Sequence, residues 1–148
     1  MVGVVESNNM KKYDFSSLTQ LEQLHDETVN NIVVNNNELN LYIDELHFEY
    51  GNQYSKCKII FSDFEEIYSD VTFTFFKLYN DKIKSGKKFY LDEFVSHINK
   101  HKFSFEISDI YVGYERFLIV GRVSNCKVKY GNIIQVSIDA KSVIYDFY

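Results

Sequence analysis

The sequence contains neither proline nor tryptophan, and it has only six glycines and two cysteines among its 148 residues. Without proline, the chain lacks a residue that commonly marks edge strands. The six glycines form no glycine-rich phosphate-binding loop. Cys57 and Cys126 are isolated and far apart, so a reduced protein explains them more simply than a disulfide does.

Long apolar runs and an excess of positive charge are also missing. No stretch of 18 apolar residues is present, so the sequence predicts no transmembrane helix. Residues 1–12 lack the basic and then apolar order of a signal peptide, so we expect a cytoplasmic protein. The formal net charge is −5, which disfavours binding to nucleic acid because no basic field meets the phosphates. This charge would attract a basic partner, although it also serves solubility alone.

Tyrosine and phenylalanine are abundant, and aromatic residues make up 17% of the chain, which favours pleated sheet. Short alternating segments such as Leu39 to Ile43 have the period of half-buried strands. Leu91 to His101 instead carries apolar residues at helical spacing, with Asp92 and Glu93 in its first turn. We predict a single domain over residues 1–148 of the α+β class. It would hold a curved antiparallel sheet, or a partly open barrel, with one amphipathic helix packed on it.

Two stretches, about residues 24–68 and 107–146, follow a similar pattern on either side of the predicted helix. Each opens with an apolar residue two positions before Asp, alternates, turns at Tyr-Gly-Asn and ends in Ile-Tyr. The shared positions are Asp26 and Asp109, Tyr50-Gly51-Asn52 and Tyr130-Gly131-Asn132, and Ile67-Tyr68 and Ile144-Tyr145. We interpret them as two similar β-meander halves, an internal repeat. Chance agreement in a chain rich in Tyr, Asn and Ile is the alternative.

Two connecting segments can be predicted from their composition. The segment from Asn80 to Lys88 holds four lysines and a glycine, which is typical of an exposed loop. Ser62 and Glu65 have the spacing of a helix cap before residues 64–68, yet the second half has Asp139-Ala140-Lys141 at this place. A bulged strand or a wide turn therefore suits both halves better than a helix does.

Two histidines on the predicted helix are a candidate metal site. His97 and His101 are four residues apart, which lets two imidazoles share a metal ion, and Glu93 adds a carboxylate four residues earlier. The order is not that of the zinc-protease motif, because no Glu directly follows the first His. His97 falls on the polar side of the helix, so exposed histidines are the simpler interpretation. We expect no metal and no other cofactor.

The cluster His25-Asp26-Glu27 is a candidate general base, because a neighbouring carboxylate raises the pKa of a histidine. Neighbours on a strand point to opposite faces, however, so adjacency alone does not bring these side chains together. The second half has Ser108 in place of His25 and keeps the aspartate, which favours a turn or capping role for Asp26. No serine or cysteine nucleophile can be placed beside a histidine without assuming the fold. We therefore predict no enzyme activity.

An acidic run interleaved with aromatic residues is a candidate binding surface. Charged residues among exposed aromatics are typical of protein interfaces, whereas most acidic runs are simply solvated faces. The candidate contact residues for a basic partner protein are Asp63, Phe64, Glu65, Glu66, Tyr68 and Asp70.

Leu24-His25-Asp26 is followed by Ile32, by Leu39 to Ile43 and by Ile59 to Phe61. This order resembles a pattern in small uncharacterised bacterial proteins, some of which look like immunity proteins of polymorphic toxin systems. The resemblance covers about residues 24–68 and implies a small, cytoplasmic, β-rich protein that neutralises a partner toxin by binding it. The lysine-rich segment and the helix depart from the pattern, so no site residue is carried over.

Three functions therefore stay open. The first is non-enzymatic binding of a protein, such as a toxin that the chain neutralises. The second is a β module that binds a small molecule, and the third is a metal-dependent enzyme built on His97 and His101. We expect a monomer or a homodimer that binds neither nucleic acid nor membranes.

Overall fold

Strands dominate the part of the chain that the structure describes, and there they form two sheets of six strands each. The computed structural model describes residues 5–7, 10–13, 24–47, 54–77, 82–101, 104–124 and 132–148. From edge to edge, the first sheet contains β1 (Val5–Ser7), β2 (Met10–Tyr13), β12 (Ser142–Phe147), β6 (Cys57–Ser62), β5 (Glu38–Ile43) and β4 (Asn31–Asn35). The second contains β3 (Thr28–Val29), β9 (Ser104–Gly113), β10 (Arg116–Ser124), β11 (Ile133–Asp139), β7 (Asp70–Lys77) and β8 (Lys82–Tyr90). A 3-10 turn (Glu66–Tyr68) precedes β7, and helix α1 (Leu91–His101) follows β8.

A hydrophobic core joins the two sheets. Alternate residues of the strands point inward, as Leu39, Leu41 and Ile43 do on β5. Across the core, the rings of Phe61 on β6 and Phe117 on β10 meet edge to face, with centroids 5.1 Å apart. Burying a side chain of this size contributes roughly 1.5–3 kcal/mol, so the alternating pattern of the strands is the main source of stability.

Helix α1 covers this core beside β4, β7 and β8. Its Leu91, Phe94 and Ile98 are buried, and the ring of Phe94 lies 5.7 Å from that of Phe73 on β7. These are the residues whose spacing predicts an apolar stripe. The predicted helix over residues 91–101 is therefore confirmed, together with the face that it buries.

The predicted α+β class, with antiparallel strands and one packed helix, is also confirmed. Instead of one curved sheet or a barrel, the strands of the described ranges form two open sheets. The chain crosses from one sheet to the other at Asn30, between β3 and β4. Among the residues described, no helix is both long enough and apolar enough to cross a membrane.

The pairing of β4, β5 and β6 in the first sheet has a counterpart in β9, β10 and β11 in the second. In the first triplet, Leu39 on β5 pairs with Phe61 on β6. In the second, Phe117 on β10 pairs with Ile138 on β11. Phe117 comes 78 residues after Leu39, and Ile138 comes 77 residues after Phe61. The strand that follows each triplet joins the opposite sheet, since β7 pairs with β11 and β12 pairs with β6. The two triplets therefore share strand order and antiparallel pairing.

The predicted alignment of the two halves is nevertheless wrong at both ends. Asp26 lies in a turn with a φ of 70°, whereas Asp109 lies within β9. Ile67 and Tyr68 lie in the 3-10 turn, whereas Ile144-Tyr145 lies in β12. The cause is length: seven residues (63–69) join β6 to β7, but only two (140–141) join β11 to β12. The same difference gives residues 66–68 a 3-10 turn instead of the predicted bulge or wide turn. Residues 50–52 and 130–131 of the Tyr-Gly-Asn motifs lie outside the described ranges.

The lysine-rich segment predicted as a loop is a strand from Lys82 onward. Strand β8 pairs with β7, for example Ile83 with Phe76 and Lys84 with Phe75. The composition misleads because β8 is the last strand of its sheet. Lysines are frequent on such edge strands, where they discourage pairing with another molecule.

Candidate functional site

The connection between β6 and β7 leaves the core at a fixed point. Asp63 adopts a left-handed φ of 51°, a conformation that aspartate tolerates better than most residues. Phe64 is only 5% exposed, and its N–H donates to the carbonyl oxygen of Asn37 at 2.8 Å. The N–H of Glu65 donates to the carbonyl oxygen of Asp139 at 2.9 Å. These contacts determine where the following residues reach the surface.

Ser69 and Arg116 hold the other end of this connection. The buried hydroxyl of Ser69 donates to the carbonyl oxygen of Glu65 at 2.9 Å and accepts the N–H of Asp139 at 3.0 Å. The guanidinium of Arg116 donates to the carbonyl oxygen of Tyr68 at 3.4 Å and to the carboxylate of Asp139 at 3.4 Å. Residues 65–69, called the 65–69 segment below, are therefore preorganised.

Large apolar side chains are exposed on and opposite this segment. Ile67 is 78% exposed and Tyr68 is 61% exposed, while Tyr90, at the end of β8, is 68% exposed. Single exposed apolar residues are common, but neighbouring ones mark surfaces for interaction. Ile67 and Tyr90 line the same groove, so they belong to one such surface.

That groove, of about 590 Å³, lies between the 65–69 segment and the start of α1. Residues 64–67 and 90–93 line it, together with the turn of Asn36 and Asn37. A second groove of about 330 Å³ lies between β4 and α1 and includes Ile32, Val34 and Val95. Glu66 and Asp92 line both. We call the two together the acidic groove.

Four carboxylates surround the acidic groove, those of Glu65, Glu66, Asp92 and Glu93. No lysine, arginine or histidine is among its described lining residues. Within the part of the chain that the structure describes, none of the four carboxylates lies within 4.0 Å of a cationic group. Asp92 accepts the N–H of Glu93 at 2.9 Å, which suits the first turn of a helix. The groove thus carries uncompensated negative charge.

The six predicted contact residues lie in four different settings. Glu65, Glu66 and Tyr68 are exposed together on the 65–69 segment. Phe64 is part of the core, and Asp63 forms the exposed left-handed turn. Asp70 belongs to β7, where its carboxylate lies 3.4 Å from the ammonium of Lys88.

Sequence reasoning missed the other residues of this surface: Ile67, Tyr90, Asp92 and Glu93. The sequence explains Asp92 by the helix dipole, Glu93 by the helix dipole or the candidate metal site, and Ile67 by the repeat. The signal that would have found Ile67 is its place between Glu66 and Tyr68, inside the acidic run. Nothing in the sequence places α1 beside this acidic run, so no sequence signal assigns Asp92 and Glu93 to the same surface.

His25 and Asp26 are in contact, contrary to the expectation for neighbours on a strand. Nδ1 of His25 lies 3.0 Å from a carboxylate oxygen of Asp26 because residues 24–26 form a turn. The N–H of Asp26 donates to the carbonyl oxygen of Ile107 at 2.8 Å, so Asp26 has a turn role. Both side chains are exposed, and the pair lies in no described groove.

Glu27, the third residue of the predicted cluster, is buried. One of its oxygens accepts the backbone N–H of His47 at 3.0 Å, and the other lies 3.5 Å from Nδ1 of the same histidine. Because His47 follows β5 in the loop that starts at Asp44, this contact ties that loop to the start of β3. Its role is structural.

The candidate metal site at His97 and His101 stays a prediction. His97 and His101 lie on α1, but their side chains fall outside the described residues. Among the side chains that are described, no group of three or more His, Cys, Asp or Glu is placed to hold a metal ion. Cys57 is free and buried. Burial raises the pKa of its thiol, and the carboxylates of Asp146 and Glu27 raise it further, which disfavours the thiolate nucleophile.

Comparison of the chain with protein families, with curated proteins and with solved structures finds no match. The acidic groove and the 65–69 segment are therefore the features of the molecule that indicate a function.

Proposed function

We propose that this chain is a non-enzymatic binding protein that contacts a partner protein through the 65–69 segment and Tyr90. The predicted partner is a basic protein, such as a bacterial toxin that the chain neutralises in the cytoplasm. The observation that carries the proposal is the exposure of Ile67 and Tyr90 on either side of one groove.

The energetics of these side chains support a binding role. Burying a side chain the size of isoleucine contributes roughly 1.5–3 kcal/mol, and the fold forgoes this contribution at Ile67. Tyrosine is enriched where binding energy concentrates at interfaces. A partner that covers Ile67 and Tyr90 would recover the stabilisation that the free protein lacks.

The anchoring of the segment supports the same role. The connection from β11 to β12 shows that two residues suffice at the corresponding place, while the β6–β7 connection has seven. Ser69 and Arg116 hold these additional residues in one conformation. A loop that is ordered before binding loses less entropy when the complex forms.

The direct experiment measures association with the toxin-like product of a neighbouring gene by isothermal titration calorimetry. We expect a complex with a dissociation constant below about 1 µM. Ile67→Ala and Tyr90→Ala should each weaken it by about tenfold or more, because each removes buried apolar area. Both side chains are exposed, so neither substitution opens a hole in the core.

Tyr111→Ala is the matched control. Tyr111 is an exposed tyrosine on β9, four strands away from β8 in the same sheet, or roughly 19 Å at about 4.8 Å per strand. The Tyr111→Ala variant should bind the partner protein as tightly as the unmodified chain does. No association at micromolar concentration, or equal losses for Tyr111→Ala and Ile67→Ala, would contradict the proposal.

A small-molecule site is the second candidate, because the larger groove has a volume of about 590 Å³, within the usual range for ligand pockets. Thermal-shift screening separates the two functions, since a tight ligand raises the melting temperature without any partner protein. A ligand whose effect disappears in Tyr90→Ala would favour this alternative.

A further inference from the structure

We propose that the acidic groove receives a short basic segment of the partner, with an arginine or lysine side chain between Glu66 and Asp92. This inference rests on the proposed function and adds the chemistry of the bound segment. The exposed Ile67 and Tyr90 determine that something apolar docks here. The charge and shape of the groove indicate which polar side chains of the partner bind beside that apolar group.

The charge of the groove selects a cation. Among the side chains that the structure describes, no cationic group lies within 4.0 Å of its four carboxylates. The start of α1 adds a partial positive charge of only about half an elementary charge. The formal charge at the groove therefore stays strongly negative, and an anionic or neutral segment would leave these carboxylates without a partner when water is displaced.

Glu66 and Asp92 are the best placed of the four, because they line both parts of the groove. They stand on different elements, the 3-10 turn and the first turn of α1. A guanidinium has five donors in a planar fork, so it suits two carboxylates approaching from two sides. This placement predicts that arginine is preferred over lysine.

The shape of the smaller part suits extended chain. It follows α1 from Asp92 through Val95 to Asn99, a span of about 10 Å at about 1.5 Å per helical residue. That length holds roughly three residues of extended peptide. The half-buried Val34 and Val95 line this part, so an apolar residue beside the basic one would find contact.

Strand addition along β4 does not explain this groove. The N–H of Ile32 donates to the side-chain oxygen of Asn31 at 2.9 Å, so it is not free to pair with an added strand. Recognition therefore depends on side chains of the partner, and a change of its side-chain charges should abolish binding.

The test uses the full chain and three labelled hexapeptides: alternating Arg-Leu, alternating Lys-Leu and alternating Glu-Leu. Fluorescence anisotropy at low ionic strength should show binding in the order Arg-Leu, Lys-Leu, and no binding of Glu-Leu. The double variant Glu66→Gln/Asp92→Asn should bind Arg-Leu at least about tenfold more weakly, because both charged acceptors are lost. Asn at position 92 keeps an oxygen for the N–H of Glu93.

The matched control is Asp44→Asn/Glu45→Gln, which changes the net charge by the same amount. Both residues are exposed, line neither part of the groove and follow β5 at the end opposite to Asn37, roughly 20 Å from Asn37 at about 3.3 Å per residue. This control should bind Arg-Leu within about twofold of the unmodified chain, as expected for distant, screened charges. Equal loss in both double variants, or no loss in either, would overturn the inference.

The same variants separate this inference from the proposed function. If the partner protein binds and Ile67→Ala weakens the complex while Glu66→Gln/Asp92→Asn does not, the binding function stands and the basic segment is wrong. If the Arg-Leu peptide binds in the groove and the partner protein does not bind at all, the groove chemistry stands and the assignment of that partner is wrong.

Discussion

Replacing Ser69 with alanine tests whether the 65–69 segment is held in place as its contacts indicate. The substitution removes a hydroxyl that is buried and makes two hydrogen bonds, one to the carbonyl oxygen of Glu65 and one from the N–H of Asp139. Each bond contributes about 0.5–1.5 kcal/mol net, and a buried donor left unpaired costs about 1–3 kcal/mol. The carbonyl oxygen of Glu65 still accepts the N–H of Tyr68 at 3.3 Å. We therefore expect the free energy of unfolding to fall by about 2 kcal/mol.

Urea denaturation followed by circular dichroism measures this change, with an unchanged slope expected because the same surface is exposed on unfolding. For a chain of this size the melting temperature should fall by about 6 °C. Ser55→Ala is the control, since Ser55 is exposed and its described hydrogen bonds use only the backbone. If the free energy of unfolding of Ser69→Ala lies within about 0.5 kcal/mol of that of Ser55→Ala, the Ser69 hydroxyl does not hold the 65–69 segment. Partner binding by Ser69→Ala should weaken as well, because the loop would be ordered only on binding.

Two further predictions concern the core. In Gly121→Ala, the new Cβ would lie 2.6 Å from the carbonyl oxygen of Glu106, so urea denaturation should show a loss of about 1–3 kcal/mol. Gly113→Ala, whose nearest contact is an ordinary 3.6 Å, should stay within about 0.5 kcal/mol, and equal effects would contradict the clash. The pKa of Cys57 is raised above its ordinary value of 9.0, so the folded chain keeps this proton at alkaline pH while the unfolded chain loses it. Stability is therefore lost as pH rises above about 9, by up to about 1.4 kcal/mol per pH unit from this group. The difference in stability between Cys57→Ala and the unmodified chain should change by that amount, and a constant difference would refute it.

Local pattern was enough to predict α1 and its buried face. Leu91, Phe94 and Ile98 recur at helical spacing, and Asp92 and Glu93 favour the first turn, so every local signal agrees. Strand periods predicted the antiparallel sheet for the same reason. Periodicity reports which residues of a strand are buried, but it carries no information about which sheet a strand joins. The exchange of β7 and β12 between the sheets therefore had to come from the structure.

The candidate site was predicted only in part because its residues come from segments distant in sequence. The acidic run pointed to Glu65, Glu66 and Tyr68, which are exposed. It also pointed to Phe64, because a sequence does not tell which aromatic residue of a turn enters the core. The contribution of α1 depends on packing between elements about 25 positions apart in the chain. No local rule predicts such a meeting.

The effect of the Glu65 and Glu66 carboxylates on the free energy of unfolding distinguishes a structural role from a binding role. Two like charges that also face Asp92 and Glu93 repel, and no described cation offsets them. If they serve only binding, Glu65→Gln/Glu66→Gln should raise the free energy of unfolding of the free protein by a few tenths of a kcal/mol, as relief of exposed repulsion does. The gain should shrink as salt is added, because salt screens exposed charges, and binding of the partner should weaken in the same variant. Such an opposition between stability and binding is expected where a surface is kept for function. A lower stability of the double variant would instead assign these carboxylates to the fold, and the acidic groove would then be no more than a solvated face.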